Sequence, residues 1–182
     1  MPFNKVKVMI GRGKMDHMAG AVVLENYGNL RTDLKSMSLA SSIVELFLSD
    51  RSMGQKFREF SLMEHIFTIL DHEGINMNRK MTLVRAFLWK YLSVAGWEPR
   101  FRLGKHASNE GMMYMEHDHS KSVPISGELF DFLQFIIKSD WPQLINLSID
   151  SKLNKEWFRI SKIYYQSIFE QPSKSLKLFI YG

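Results

Sequence analysis

The spacing of hydrophobic positions changes near residue 32. Lys5-Val6-Lys7-Val8-Met9-Ile10 alternates charged and apolar side chains at period two, Gly11-Arg12-Gly13-Lys14 breaks the pattern, and Ala19 to Leu24 is a short β-compatible run. Two strands make a marginal hairpin in water, so this segment is expected to pack on the rest of the chain or to be the end of a larger sheet. After Thr32, read as an N-cap, the period becomes helical. Leu34, Met37, Ala40, Ile43, Val44 and Phe47 predict one helix over 33–49. Phe57, Phe60, Met63, Phe67 and Leu70 predict a second, and Met81, Val84, Phe87, Leu88, Tyr91 and Ala95 a third, stopped by Gly96 and Pro99.

Residues 97–124 show no sustained period and read as an irregular loop, a length that usually signals function. Ser126 is placed to cap a helix carrying Leu129, Phe130, Leu133, Ile136 and Ile137, and Asp140-Trp141-Pro142 opens a short one. Asp150 caps a last long helix striped by Leu153, Trp157, Ile160, Tyr164 and Ile168. The fold class expected is mainly α, a helical bundle over 32–182 preceded by a short β segment over 1–31.

Composition sharpens this picture. At 182 residues, with 45% apolar and 24% charged side chains, the chain has ordinary globular values. There is no cysteine, which excludes structural disulfides, thiolate metal sites and cysteine nucleophiles. No run approaches the length of a membrane helix, so a soluble cytoplasmic protein is expected. Lys and Arg number 24 against 19 Asp and Glu, giving +5 and a pI near 9.4, a balance that favours an anionic partner such as nucleic acid.

The charge is uneven. Arg79, Lys80, Arg85, Lys90, Arg100, Arg102 and Lys105 face one carboxylate, Glu98, over the same stretch. Interleaved with Trp89, Tyr91, Trp97 and Phe101, they have the chemistry for phosphate contacts and base stacking. The ordinary alternative is a solvated helix face over a core of rings. A second cluster, Lys5, Lys7, Arg12 and Lys14, surrounds the Gly-Arg-Gly-Lys turn, which lacks the following helix that a phosphate-binding loop requires. The candidate DNA-binding residues are therefore Lys5, Lys7, Arg12, Lys14, Arg79, Lys80, Arg100, Arg102 and Lys105.

Glu116-His117-Asp118-His119 is the one metal-like constellation. On an extended segment the two imidazoles share a face, and His106 is a possible third ligand. The spacing after it matches no metal motif, so a solvated histidine loop is expected and no metal or other cofactor is assigned. No nucleophile elbow, phosphate loop or dinucleotide fingerprint is present, and the chain is read as a non-enzyme.

Several segments together resemble the bacterial DNA repair protein RecO family. Ala19-Gly20-Ala21-Val22-Val23-Leu24-Glu25-Asn26-Tyr27 followed by Leu30-Arg31-Thr32-Asp33-Leu34 is similar to the family's last OB-fold strand running into its first long helix. The stretch from Arg85 to Pro99, ending Gly96-Trp97-Glu98-Pro99, resembles its most recognisable helix. Val123-Pro124-Ile125-Ser126 and Lys174-Ser175-Leu176-Lys177-Leu178 resemble two later segments. Two departures stand out: the four-cysteine zinc site of many members is absent, and only about the last two strands of the OB barrel remain. The resemblance implies a recombination mediator without turnover that binds single-stranded DNA, anneals complementary strands, and with RecR helps load RecA on strands covered by single-stranded DNA-binding protein. The alternative is an interaction scaffold whose basic helical groove receives an acidic or amphipathic peptide tail. A metal-dependent enzyme using His117 and His119 is a third reading.

Overall fold

From Leu83 to Leu92 helix α4 (Met77–Val94) carries eight apolar side chains and two cations, Arg85 and Lys90, and a stretch so rich in apolar residues has to be enclosed rather than laid on a surface. Leu83, Val84, Ala86, Phe87, Leu88, Trp89, Tyr91 and Leu92 are each at most 5% exposed. The structure, a computed structural model, describes residues 3–49, 56–104, 113–118 and 121–169. Around α4 pack α2 (Leu34–Ser49), α3 (Phe57–Asp71), α5 (Gly127–Lys138) and α6 (Trp141–Ile145). Helix α7 (Ser151–Ile168) closes the remaining side, where Tyr164 stacks on Trp89 with ring centres 5.4 Å apart.

The helix ends follow from local chemistry. Asp150 accepts from Lys152 N (2.7 Å) and Leu153 N (3.0 Å), and Ser126 Oγ accepts from Leu129 N (3.1 Å). At the end of α4, Trp97 N donates to Leu92 O (2.7 Å) and Gly96 N to Ser93 O (3.2 Å), the pairing of a Schellman motif. Gly96 sits at φ +85°, a backbone that a side chain would strain.

Three sequence expectations are corrected. The helix expected over 33–49 is preceded by a separate short helix, α1 (Gly28–Thr32), so the boundary at residue 31 falls inside an element. The cap of α2 is Asp33 rather than Thr32: Asp33 accepts from Ser36 N and Ser36 Oγ, whereas the Thr32 hydroxyl turns back to Asn29 O. The buried side of α2 is accordingly Ser36, Leu39, Ala40, Ile43 and Leu46, with Leu34 outside it at 77% exposed. Most consequentially, the segment read as an irregular loop folds largely into an antiparallel sheet of β3 (Arg100–Leu103), β4 (Met113–Asp118) and β5 (Lys121–Ile125), in the order β3-β4-β5. Its inner face carries Met115, Val123 and Ile125 into the core, and Phe101 meets Phe130 edge-on at 5.0 Å.

At the other end of the chain, β1 (Asn4–Gly11) and β2 (His17–Asn26) form an antiparallel hairpin with two irregularities, at Lys5/Val6 and Met9/Ile10, where β2 carries the extra residue. Gly20 leaves the space that Met9 fills, since a Cβ there would lie 2.8 Å from the methionine methyl. Among the described residues, the anchoring contacts of the hairpin lie at its base. Phe3 and Tyr27 both meet Phe67 edge-on, at 5.8 and 5.6 Å, Lys5 pairs with Glu64 at 2.5 Å, and Arg31 donates to Asn4 Oδ1 and Asn26 Oδ1.

Candidate nucleic-acid interface

All four cations of α4 are committed to the interior or its rim. Lys80, 7% exposed, donates to Ser36 Oγ (3.1 Å) and to Leu70 O (2.6 Å) in the last turn of α3. Lys90, 8% exposed, donates to Ile137 O (3.1 Å) and Ser139 O (2.5 Å) at the end of α5. Each ammonium meets the carbonyls and the negative dipole end of a neighbouring helix. Burial lowers the Lys90 pKa, and Asp140 opposes that shift. Arg85 donates to Asn154 Oδ1 (2.8 Å) with its guanidinium 5.0 Å from the Trp157 ring centre and 5.1 Å from that of Phe158, and its pKa is lowered by burial. Arg79 donates to Leu147 O. The run of positive charge in the sequence is thus dispersed into four structural contacts, two of them those of Arg79 and Lys80.

The expected stacking rings divide likewise. Trp89 and Tyr91 are core, and Trp89 Nε1 donates to Ser161 Oγ (2.9 Å). Phe101 is half-buried against Phe130, which leaves Trp97, 50% exposed, as the open ring of the four.

The three-stranded sheet supplies a surface that periodicity alone did not reveal. Because side chains alternate across a strand, Arg100 and Arg102 of β3 share the outer face with Tyr114 and Glu116 of β4 and Ser122 of β5. Arg102 reaches across this face: its Nε lies 3.6 Å from Glu116 Oε1, it donates to Ser122 Oγ at 3.1 Å, and its guanidinium stands 5.9 Å from the Tyr114 ring centre. Arg100 is exposed and pairs with none of the described residues. The signal for Tyr114 lay in the alternation Met113-Tyr114-Met115-Glu116, hidden because the segment is short and flanked by glycines.

On the hairpin, Lys5 is neutralised by Glu64, whose hydrogen bond raises the lysine pKa, while Lys7, Arg12 and Lys14 are exposed and pair with none of the described residues. Lys105, His106 and His119 lie outside the described residues, and His117 belongs to β4. Among the described residues no group of three or more His, Asp or Glu is arranged to hold a metal ion, and no helix is long and apolar enough to cross a membrane. Among the described residues, unpaired cations stand at two places, the outer half of the hairpin and the outer face of the sheet, the latter beside the half-buried ring of Tyr114. That is chemistry for contacting phosphates.

No family model matches the chain. Among curated proteins it is similar to the DNA repair protein RecO of Bifidobacterium adolescentis, 21% identical over 195 residues that cover 97% of this chain and 78% of that protein. The similarity spans both the hairpin and the helices.

Proposed function

We propose that the protein is a non-enzymatic DNA repair factor that binds single-stranded DNA through the free cations of its hairpin and small sheet. The observation that carries this reading is the separation of the sequence-predicted cations into two groups. Lys7, Arg12, Lys14 and Arg100 remain exposed and unpaired among the described residues, while Lys5, Arg79, Lys80 and Arg102 are engaged within the fold. Flexible arginines and lysines on strands follow a bending phosphate chain, and Trp97 and Tyr114 offer faces on which bases stack irrespective of sequence. The finer activities that the RecO resemblance implies are strand annealing, cooperation with RecR, action on strands covered by single-stranded DNA-binding protein, and a cytoplasmic location. They belong to the same proposal.

The test is fluorescence anisotropy with labelled homopolymeric oligonucleotides, followed by a complementary-strand annealing assay. Binding to unrelated sequences with similar affinity, and faster annealing than in the absence of protein, supports the reading; absence of binding at low salt overturns it.

A second reading is favoured by one feature. A narrow cleft between α4 and α7 is lined by Arg85, Leu88, Leu92, Phe158, Ser161 and Tyr165, a cation beside apolar walls. That is the chemistry for an acidic peptide tail ending in an apolar residue. An R85E variant that keeps oligonucleotide affinity but loses binding of such a peptide assigns the cleft to this second role.

A further inference from the structure

Helix α7 carries four cations and one acid. Lys152, Lys155, Arg159 and Lys162 follow one another at intervals of three, four and three residues, which at the pitch of an α-helix sets them within an arc of about 80° and along about 15 Å of the axis. The arc lies opposite the buried stripe of Leu153, Trp157, Ile160 and Tyr164, so the row faces outward: Lys152, Lys155 and Arg159 are exposed and Lys162 is half-buried. Glu156, the acid of the helix, is turned aside and accepts from the backbone N and hydroxyl of Ser126 (2.8 and 2.7 Å). Arg159 spends one donor on Pro124 O (3.3 Å) and keeps the others for a ligand.

A solvated helix face normally interleaves the two signs of charge at i, i+3 and i, i+4. On α7 the successive neighbours Lys152–Lys155, Lys155–Arg159 and Arg159–Lys162 are all of like charge. The row also begins in the first turn, at the positive end of the helix dipole, where acids are favoured and none is present. The cap carboxylate of Asp150 offsets Lys152 in part, while Lys155 and Arg159 have no acid partner among the described residues. Both features cost the helix stability, and a line of anions laid along the row removes both costs.

We infer that the outward face of α7 binds the phosphate backbone of double-stranded DNA, at a site separate from the cations assigned to single strands. The occupant follows from what the row lacks as well as from what it holds. Single-strand sites join cations to rings on which unpaired bases stack, and between Lys152 and Lys162 the outward arc holds no ring; Phe158 and Ile163 are half-buried at its margins. An acidic peptide docks through apolar anchors as well as charge, and the arc offers none. A face of cations alone makes backbone contacts alone, and a duplex, whose bases are already stacked and paired, requires nothing more. The row is straight and held rigid by the helix, which suits the dense and regular charge of a duplex, one phosphate per about 3.4 Å of axis on each strand, rather than a chain that bends.

The test is fluorescence anisotropy of a blunt DNA duplex of mixed sequence and of a homopolymeric single strand, each titrated at several salt concentrations with the full chain. Wild type is expected to bind the duplex with log affinity falling linearly with log salt. K152Q/K155Q is expected to flatten the duplex slope by about 2, two contacts at about 0.9 each, and to leave single-strand affinity unchanged. K152E/K155E is expected to lose most duplex affinity while its melting midpoint stays at or above that of wild type, because acids replace cations at the positive end of the helix. K7E/R12E/K14E/R100E is expected to keep duplex binding whether or not it loses single strands, which separates this site from the one proposed above. A wild type that does not bind the duplex at low salt, a K152E/K155E variant that binds it as wild type does, or one that loses duplex and single strand alike overturns the proposal. So does a K152E/K155E variant that keeps the duplex and loses binding of a polyglutamate peptide, which assigns the row to an acidic protein.

Discussion

Glu116 stands directly opposite Arg100 in the sheet register, yet its ion pair, at 3.6 Å, is with Arg102. Arg102 is therefore partly neutralised and Arg100 is not. R100E is expected to weaken oligonucleotide binding more than R102E does, and E116Q is expected to strengthen it by releasing Arg102. Salt-bridge energies at such exposed positions are small, roughly 0–1 kcal/mol, so none of the three changes is expected to move the melting midpoint appreciably. Anisotropy titrations of the three variants, beside thermal melts, check this; equal losses for R100E and R102E contradict it.

The lysines of α4 give the opposite pattern. K80A removes the donor to Ser36 Oγ and Leu70 O and leaves buried acceptors unpaired, at a cost of about 1–3 kcal/mol, with DNA affinity per folded molecule unchanged. Denaturant unfolding and anisotropy on the same samples separate the two effects. A K80A protein as stable as wild type but deficient in binding places Lys80 in the interface after all.

Helix α5 is tied to α7 by the edge-on contact of Phe132 with Trp157 at 5.1 Å and by a polar pair at its cap. Ser126 caps α5 and also donates to Glu156 through its backbone N (2.8 Å) and its hydroxyl (2.7 Å). S126A is expected to cost about 1 kcal/mol for the lost cap. E156Q, which keeps the shape of the acceptor, is expected to cost less than E156A. Chemical denaturation of the three variants reads the order.

Asp33 has its pKa lowered first by the hydrogen bond from the Ser36 hydroxyl and further by the Lys35 and Ser36 backbone N–H groups, and Asp150 has its own lowered by the N–H groups of Leu153 and Lys152. A depressed folded pKa contributes stability above the unfolded value, and this is lost as pH falls through the folded one. The melting midpoint is thus expected to decline below about pH 4, the ordinary carboxylate range, and D33N/D150N is expected to flatten that decline while lowering the plateau near neutrality. A parallel downward shift with unchanged acid sensitivity contradicts the assignment.

The long helices were legible because the caps and stripes that define them are local. Ser126, Asp140 and Asp150 open helices where the sequence places them, and Leu153, Trp157, Ile160 and Tyr164 form the buried stripe of α7. The small sheet was not legible, since β3 and β5 have four and five residues and their alternation is too short to exceed noise. The depth of the α4 cations was not legible for a different reason. A count of cations along a helix says nothing about depth, and Lys80 and Lys90 meet carbonyls from α3 and α5 that are far away in sequence. The eight apolar residues among the ten from Leu83 to Leu92 were the available sign of depth.

The sequence leads one to expect that the first thirty residues pack on the rest of the chain or end a larger sheet, and the contacts at the hairpin base show the packing. Deleting residues 1–28 removes Phe3 and Tyr27 from Phe67, and loss of a buried ring costs about 3–5 kcal/mol. Shortening the hairpin between Val8 and Val22 instead, which removes no buried residue, is expected to leave the melting midpoint nearly unchanged. Thermal melts of both shortened proteins compare the base with the tip.

The account's central claim, binding of a phosphate chain by the exposed cations, is tested most directly by the salt dependence of affinity for a single-stranded oligonucleotide. Four contacts at about −0.7 each predict that log affinity falls linearly with log salt at a slope of roughly −3 for any sequence. The variant K7E/R12E/K14E/R100E is expected to lose most of that slope with its fold intact. A wild-type slope near zero, or a quadruple variant that binds as wild type does, contradicts the claim.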